Sequence, residues 1–245
     1  MLERDFSDYM PYIAVGLVGH GSECFGYDDE ISVDHDYGED CIIWVTDEVF
    51  DKIGFSLQRA YSRLKNGSSA KKSAEGASYR GVMSVGDFYM EYTGRRGAPE
   101  TINDWMYTPS SYFAEAVNGE VFYDGNGLFT SIRNTILTGM PEEVRLKRIS
   151  RHAIFAGQSG QYNFSRCLAH GEKGAAGIAL SEFAQNAAEV IFLLNRRYMP
   201  YYKWMFRAMR ELPLLSDMAE PLEFLLSEPN VGEGGGVKAE IIEDI

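Results

Sequence analysis

The chain has 245 residues, of which 45% are hydrophobic, 13% aromatic and 24% charged, a make-up that excludes a disordered, collagenous or coiled-coil protein. With 36 acidic and 23 basic residues the net charge is −13; a broad grip on long nucleic acid needs a positive surface and is not expected, although a local pocket for a nucleotide or one RNA end is compatible. Cys24, Cys41 and Cys167 are odd in number, far apart and without a CxxC pair, which speaks against a disulfide framework and the usual zinc spacings.

No window carries the roughly 18 uncharged apolar residues of a membrane span. The N-terminus, MLERDFSDYM, has acids where a secretory signal has a basic and then an apolar stretch. The expectation is a cytoplasmic protein without a membrane partner.

In chain order, residues 12–19 (YIAVGLVG) form a short apolar run ending in glycine and read as a buried strand. Residues 20–33 are a polar loop, and 41–45 (CIIWV) read as a second strand whose pattern starts near Val33. Residues 47–64 place Val49, Phe50, Ile53, Leu57, Tyr61 and Leu64 at helical spacing, with acids first and arginines last, as the helix dipole favours. A polar loop at 66–78 precedes a short strand at Val82–Val85. The stretch 101–139 holds a helix at Ser110–Val117, a strand at Val121–Tyr123 and a helix at Leu128–Leu137. Pro141 stands where a new helix begins. From there to Leu226 the pattern is helical, with Ala179, Leu180, Phe183, Ala187, Val190, Ile191 and Leu194 on one apolar face. This gives an α+β domain over residues 1–140, a helical domain over 141–227 and a flexible Gly-rich, acidic tail over 228–245, in which Ile241, Ile242 and Ile245 are candidates for docking.

The densest cluster of chemistry is Gly19-His20-Gly21-Ser22, then eleven residues after Ser22, then Asp34-His35-Asp36. In an extended chain Asp34 and Asp36 point to one face. Two carboxylates so placed repel each other, and a divalent cation relieves the repulsion; oxygen-only ligands favour magnesium or manganese. Gly21 lets backbone N–H groups, with the Ser22 hydroxyl, approach a phosphate. Together these features suit a nucleoside triphosphate whose α-phosphate undergoes in-line displacement of pyrophosphate.

Gly21-Ser22, the gap and Asp34-His35-Asp36 resemble the signature of the nucleotidyltransferase (DNA polymerase β-like) superfamily. More narrowly, GHGSECFGYDDEISVDHDYG, with GQYNFSR (Gly160–Arg166) and LLNRRYMPYYKW (Leu193–Trp204), resembles the bacterial DUF4037 proteins, over roughly Tyr12 to Leu215. The resemblance implies a nucleotidyltransferase-like mixed sheet with helices followed by a helical domain, metal ligation by Asp34 and Asp36, and phosphate contact by Gly21 and Ser22. It also implies a third carboxylate on a later strand. Asp87 is the first candidate, with Glu75 and Glu91 behind it. His35-Asp36 also reads as the HD dipeptide of metal-dependent phosphohydrolases, but those place it on a helix, and here a strand pattern follows.

Further candidates carry two readings each. Asp28, Asp29 and Glu30 are a solvated acidic loop or the rim of an entrance. Lys203, among aromatics, is a point charge for a triphosphate or a snorkelling surface lysine. Gln161 and Arg166 hold a base or ribose, or form a polar seam. Glu182, in an apolar helix, is a general base or a solvated glutamate. Asn195 binds nucleotide or is a structural amide. The expected function is a magnesium- or manganese-dependent nucleotidyltransferase. It binds an NTP, with ATP favoured, in a cleft between the two domains and transfers its nucleoside monophosphate to a small-molecule hydroxyl. The alternative is a catalytically weak or inactive nucleotide-binding or interaction module. Acceptor identity, base preference and oligomeric state are not encoded in these motifs.

Overall fold

A computed structural model describes residues 1–29, 41–67, 81–229 and 233–245. They form two compact units, Met1–Met140 and Pro141–Ile245.

The first unit opens with the short helix α1 (Leu2–Asp5) and a 3-10 turn (Ser7–Tyr12), and continues into β1 (Ile13–Leu17). A 3-10 turn (Ser22–Phe25) follows, then β2 (Ile42–Val45), α2 (Asp47–Gly67), β3 (Val82–Ser84), α3 (Val85–Thr93), α4 (Ile102–Tyr107), α5 (Ser110–Val117), β4 (Glu120–Asp124) and α6 (Leu128–Thr138). The strands make one mixed sheet in the order β3-β2-β1-β4. β1 is antiparallel to both its neighbours, and β2 runs parallel to β3.

All four β2 residues are buried, which explains the unbroken apolar run there: alternate side chains enter different cores on the two faces of the sheet. Ile43 and Val45 pack with Val49, Ile53 and Leu57 of α2. Trp44 points the other way, stacks on Phe129 of α6 at 4.0 Å and meets the edge of Phe88 of α3 at 5.3 Å. On β1, a Cβ at Gly16 would lie 2.5 Å from the Glu120 carbonyl oxygen. Glycine there lets β4 come close beside an irregularity in the pairing.

The topology fixes which segments share an end of the sheet. Gly16 pairs with Ile42, and Leu17 pairs with Glu120. The exit of β1, the entry to β2 and the entry to β4 therefore lie together. The exits of β2 and β3, at Val45 and Ser84, lie together at the opposite end.

The strand expected at Val82–Val85 stops at Ser84. Its side chain accepts the Asp87 N–H at 2.9 Å and caps α3, a helix that the apolar pattern alone did not announce.

The second unit consists of α7 (Glu142–Ala156), a π-helical segment (Gly157–Phe164), α8 (Ser165–Ala169), α9 (Lys173–Leu194), α10 (Tyr202–Met209), α11 (Ala219–Ser227) and α12 (Glu233–Asp244). Its core gathers around α9, where Ala176, Leu180, Phe183, Ala184, Ala188 and Phe192 are buried. Among the described residues α9 is the one helix whose length and mean hydropathy, 1.2, would allow a membrane crossing, and 56% of that window is buried within the protein. Of the expected apolar face, Leu194 is instead 41% exposed, at the helix end. Within the core, Arg148 of α7 and Glu189 of α9 form an ion pair at 2.9 Å, with both side chains over 90% buried.

The expectation of a flexible tail needs correction: Glu233–Asp244 is helical. Lys238 and Ile242, four apart and therefore on one face, are 0% and 2% exposed. Ile242 joins the helical core. The Lys238 ammonium donates to the Leu225 carbonyl at 2.7 Å and also to that of Glu228, serving acceptors at the end of α11 that lack helical partners. The Gly run disguised this amphipathic face.

Candidate functional site

The turn leaving β1 is held from several sides. Gly19 and Gly21 both have φ of +114°, a region costly for any residue with a Cβ. Asn118, just after α5, accepts the Gly19 N–H at 2.8 Å and donates to the Gly19 carbonyl at 2.8 Å. Arg133 of α6 donates to the carbonyls of Val117 at 2.7 Å and Gly119 at 3.1 Å, which fixes the Asn118 backbone. The Cys24 thiol lies 3.3 Å from the His20 carbonyl, and the Tyr92 hydroxyl rests against the His20 backbone. Ser22 then opens the 3-10 turn that Gly26 ends in the left-handed region. The Glu23 carboxylate folds back over Gly21, within 2.5 Å of where a Cβ would stand.

His20 occupies the centre of this cluster. Its Nδ1 is 2.7 Å from Oε2 of Glu115 on α5, and its Nε2 is 3.6 Å from Oε1 of Glu91 on α3. The Glu115 side chain is 10% exposed, while those of His20 and Glu91 are 35% and 31% exposed. Burial pushes the Glu91 carboxyl above the usual carboxylate range; the Glu115 charge adds to this, and His20 opposes it. Burial, helped by Glu115, pushes the Cys24 thiol up to about 12, so that thiol stays protonated and inert at neutral pH.

Asp87 lies elsewhere. It lies in the first turn of α3 beyond the exit of β3, at the opposite end of the sheet from the entry to β2. There Arg96 donates to Asp87 at 2.7 Å, to Asp47 at 2.9 Å and to the Ser84 hydroxyl at 3.1 Å. Asp47 also accepts the Gly86 N–H at 2.9 Å. Burial opposes ionisation of Asp47, but Arg96 and the Gly86 and Ser84 hydrogen bonds outweigh it and hold its carboxyl below the usual range. This arrangement ties the ends of β2 and β3 together. Of the two described acids weighed for the third carboxylate, Glu91 and not Asp87 stands beside the turn.

The remaining candidates fall in the helical unit. Glu182 is an exposed residue lining a groove of about 480 Å³ with Gly174, Gly177, Ser181 and Gln185. Gln161 donates to Glu243 of α12 at 3.2 Å. The Arg166 guanidinium lies 4.9 Å from the centre of the Tyr162 ring, and the Lys203 ammonium 5.0 Å from that of Trp204. Asn195 donates to the carbonyls of Ile191 at 2.8 Å and Leu214 at 2.9 Å, and accepts the Leu214 N–H at 2.9 Å. That is the structural amide of its two readings. Asp34, Asp36, Glu30 and Glu75 lie outside the described residues. Among the described residues no three His, Cys, Asp or Glu side chains are grouped to hold a metal ion.

Residues 105–205 match the family model described as Domain of unknown function (DUF4037). The match starts in α4 and ends in α10. It takes in Glu115, Asn118 and Arg133 but not the Gly21-Ser22 turn that they support. No curated protein and no solved structure matches the chain.

Glu115, Asn118 and Arg133 were not singled out from the sequence. The one available signal was a lone acid inside FAEAV (Phe113–Val117), since a carboxylate in an apolar helix is buried only when it has a partner.

Proposed function

We propose that the protein is a metal-dependent nucleotidyltransferase that moves a nucleoside monophosphate from an NTP, with ATP favoured, to the hydroxyl of a small-molecule acceptor. The observation that carries this reading is the built turn. Gly19 and Gly21 both have positive φ, Asn118 clamps Gly19, and Ser22 follows at the end of the sheet where β2 begins. The chain enters β2 from the segment that holds Asp34 and Asp36. Gly21 keeps side-chain bulk away from the backbone, so a phosphate can approach once the Glu23 carboxylate moves aside.

Asp34 and Asp36 would hold magnesium or manganese, whose charge offsets that of the phosphates and of the departing pyrophosphate. The chain's own part is to orient the triphosphate on a preorganised turn, so that little rearrangement accompanies the reaction. The acceptor hydroxyl attacks the α-phosphorus, the bond to the bridging oxygen breaks, and the hydroxyl proton passes to a base. The occupation of Asp87 by Arg96 favours one second reading, a nucleotide-binding module with weak or no turnover.

The test is to incubate the protein with α-labelled ATP, magnesium and a panel of polyhydroxylated acceptors. Pyrophosphate release with label transfer, abolished by Asp36→Asn in a protein that still folds, is the expected result. Magnesium–ATP binding without turnover supports the module. Binding and turnover both unchanged by Asp34→Asn and Asp36→Asn would remove the metal assignment.

A further inference from the structure

The turn carries more acid than a triphosphate site tolerates unaided. Glu23 lies over Gly21, Glu91 faces His20, and Glu115 is buried behind it. Carboxylates this close repel an arriving triphosphate unless positive charge is supplied nearby. The residues after the turn, Glu23-Cys24-Phe25-Gly26-Tyr27, include no lysine or arginine. The basic group within the turn itself is the imidazole of His20.

We propose that His20 is a phosphate-binding residue of this turn, acting as the imidazolium, with Glu91 facing its Nε2 until a nucleotide arrives. This rests on the nucleotidyltransferase reading. Glu115, 8% exposed, sets a carboxylate oxygen 2.7 Å from Nδ1, an ion-pair distance without hydrogen-bond geometry, and its charge favours the imidazolium. At 3.6 Å the Nε2–Glu91 contact is an ion pair longer than a hydrogen bond, and a phosphate oxygen that reaches hydrogen-bond distance replaces it with a shorter, charge-assisted one.

Among the described residues, the groups near His20 include Glu91 and Tyr92 from α3, Glu115 from α5, and Glu23 and Cys24 from the 3-10 turn. Arg133 of α6 spends its hydrogen bonds on the carbonyls behind Asn118. Burial holds Cys24 and Tyr92 neutral, so among these described groups the charges are those of His20 and the three glutamates. Burial also lets Glu91 take up a proton more readily than an ordinary glutamate, which eases the approach of an anion.

The experiment is calorimetric titration of the full chain with magnesium–ATP at pH 6 and pH 8. It compares the wild type with His20→Gln, Glu91→Gln and Glu115→Gln, each checked for folding by circular dichroism. The wild type is expected to bind about tenfold more tightly at pH 6 than at pH 8, as an imidazolium contact requires. His20→Gln is expected to lose affinity at pH 6 and most of the pH dependence. Glu91→Gln is expected to bind at least as tightly as the wild type, because a repulsive carboxylate is gone; a purely structural role for the cluster would weaken binding instead. Wild-type affinity and pH dependence in His20→Gln overturns the proposal and leaves the functional reading standing. Absence of magnesium–ATP binding by the wild type at both pH values overturns the two together. Should His20→Gln not fold, Glu115→Gln decides: a flattened pH dependence supports the proposal, and an unchanged one overturns it.

Discussion

Asn118 mimics a strand partner for Gly19, exchanging two hydrogen bonds of 2.8 Å with that residue's N–H and carbonyl. The carboxamide of Asn, shared only with the longer Gln, offers a donor and an acceptor side by side in this way. Asn118→Ala is expected to leave both Gly19 backbone groups without that partner and to cost about 1–3 kcal/mol. Urea unfolding of the variant measures the loss; a midpoint equal to that of the wild type would show that the clamp is dispensable.

The Arg148–Glu189 pair gives a test in the helical unit. With both side chains buried, Glu189→Ala strands a guanidinium charge in the core and is expected to cost about 3–5 kcal/mol. Arg148→Met combined with Glu189→Leu removes both charges and is expected to recover much of that loss. Thermal melts of the single and double variants provide the comparison. Additive losses would mean that the two residues act separately.

For the tail, the relevant contact is Lys238 with Leu225. Lys238→Met keeps the aliphatic bulk but removes the donor from two carbonyl oxygens. Release of α12 is expected, read as faster cleavage by a glutamate-specific protease within residues 228–240 than in the wild type. Unchanged cleavage kinetics would mean that Ile242 alone secures the helix.

Asp47 sets an acid-side expectation. Its folded-state proton affinity is lowered, so its stabilising contribution is full above the unfolded value of about 3.9 and fades as the pH falls below it toward the lower folded value. Asp47→Asn should therefore reduce the slope of stability against pH below about pH 4. An equal slope in both proteins, from unfolding midpoints at pH 3, 4 and 6, counts against the Arg96 clamp.

Much of this architecture is legible from pattern alone. The run CIIWV betrays a strand buried on both faces, and Val49, Ile53 and Leu57 announce the helix that covers one of them. Gly21-Ser22 signals a tight turn, and its positive φ bears that out. What escapes the pattern is partnership across distance. Glu115 lies ninety-five residues from His20, and no local periodicity connects them. Asp87 looked suitable because it follows a strand, but parallel pairing of β2 and β3 carries it to the far end of the sheet. The acidic, glycine-rich appearance of the tail hid Lys238, whereas Ile242 stood out as a docking candidate; the burial of both depends on surfaces supplied by other helices.

The stacking of Trp44 on Phe129 has a practical consequence. Trp44 and Trp105 are 0% and 4% exposed in the first unit, whereas Trp204, the third tryptophan, is only partly covered in the second. With Trp204→Phe, intrinsic fluorescence becomes a reporter of the sheet unit by itself. Its red shift on heating then times the loss of that unit independently of the helical one, without any added dye.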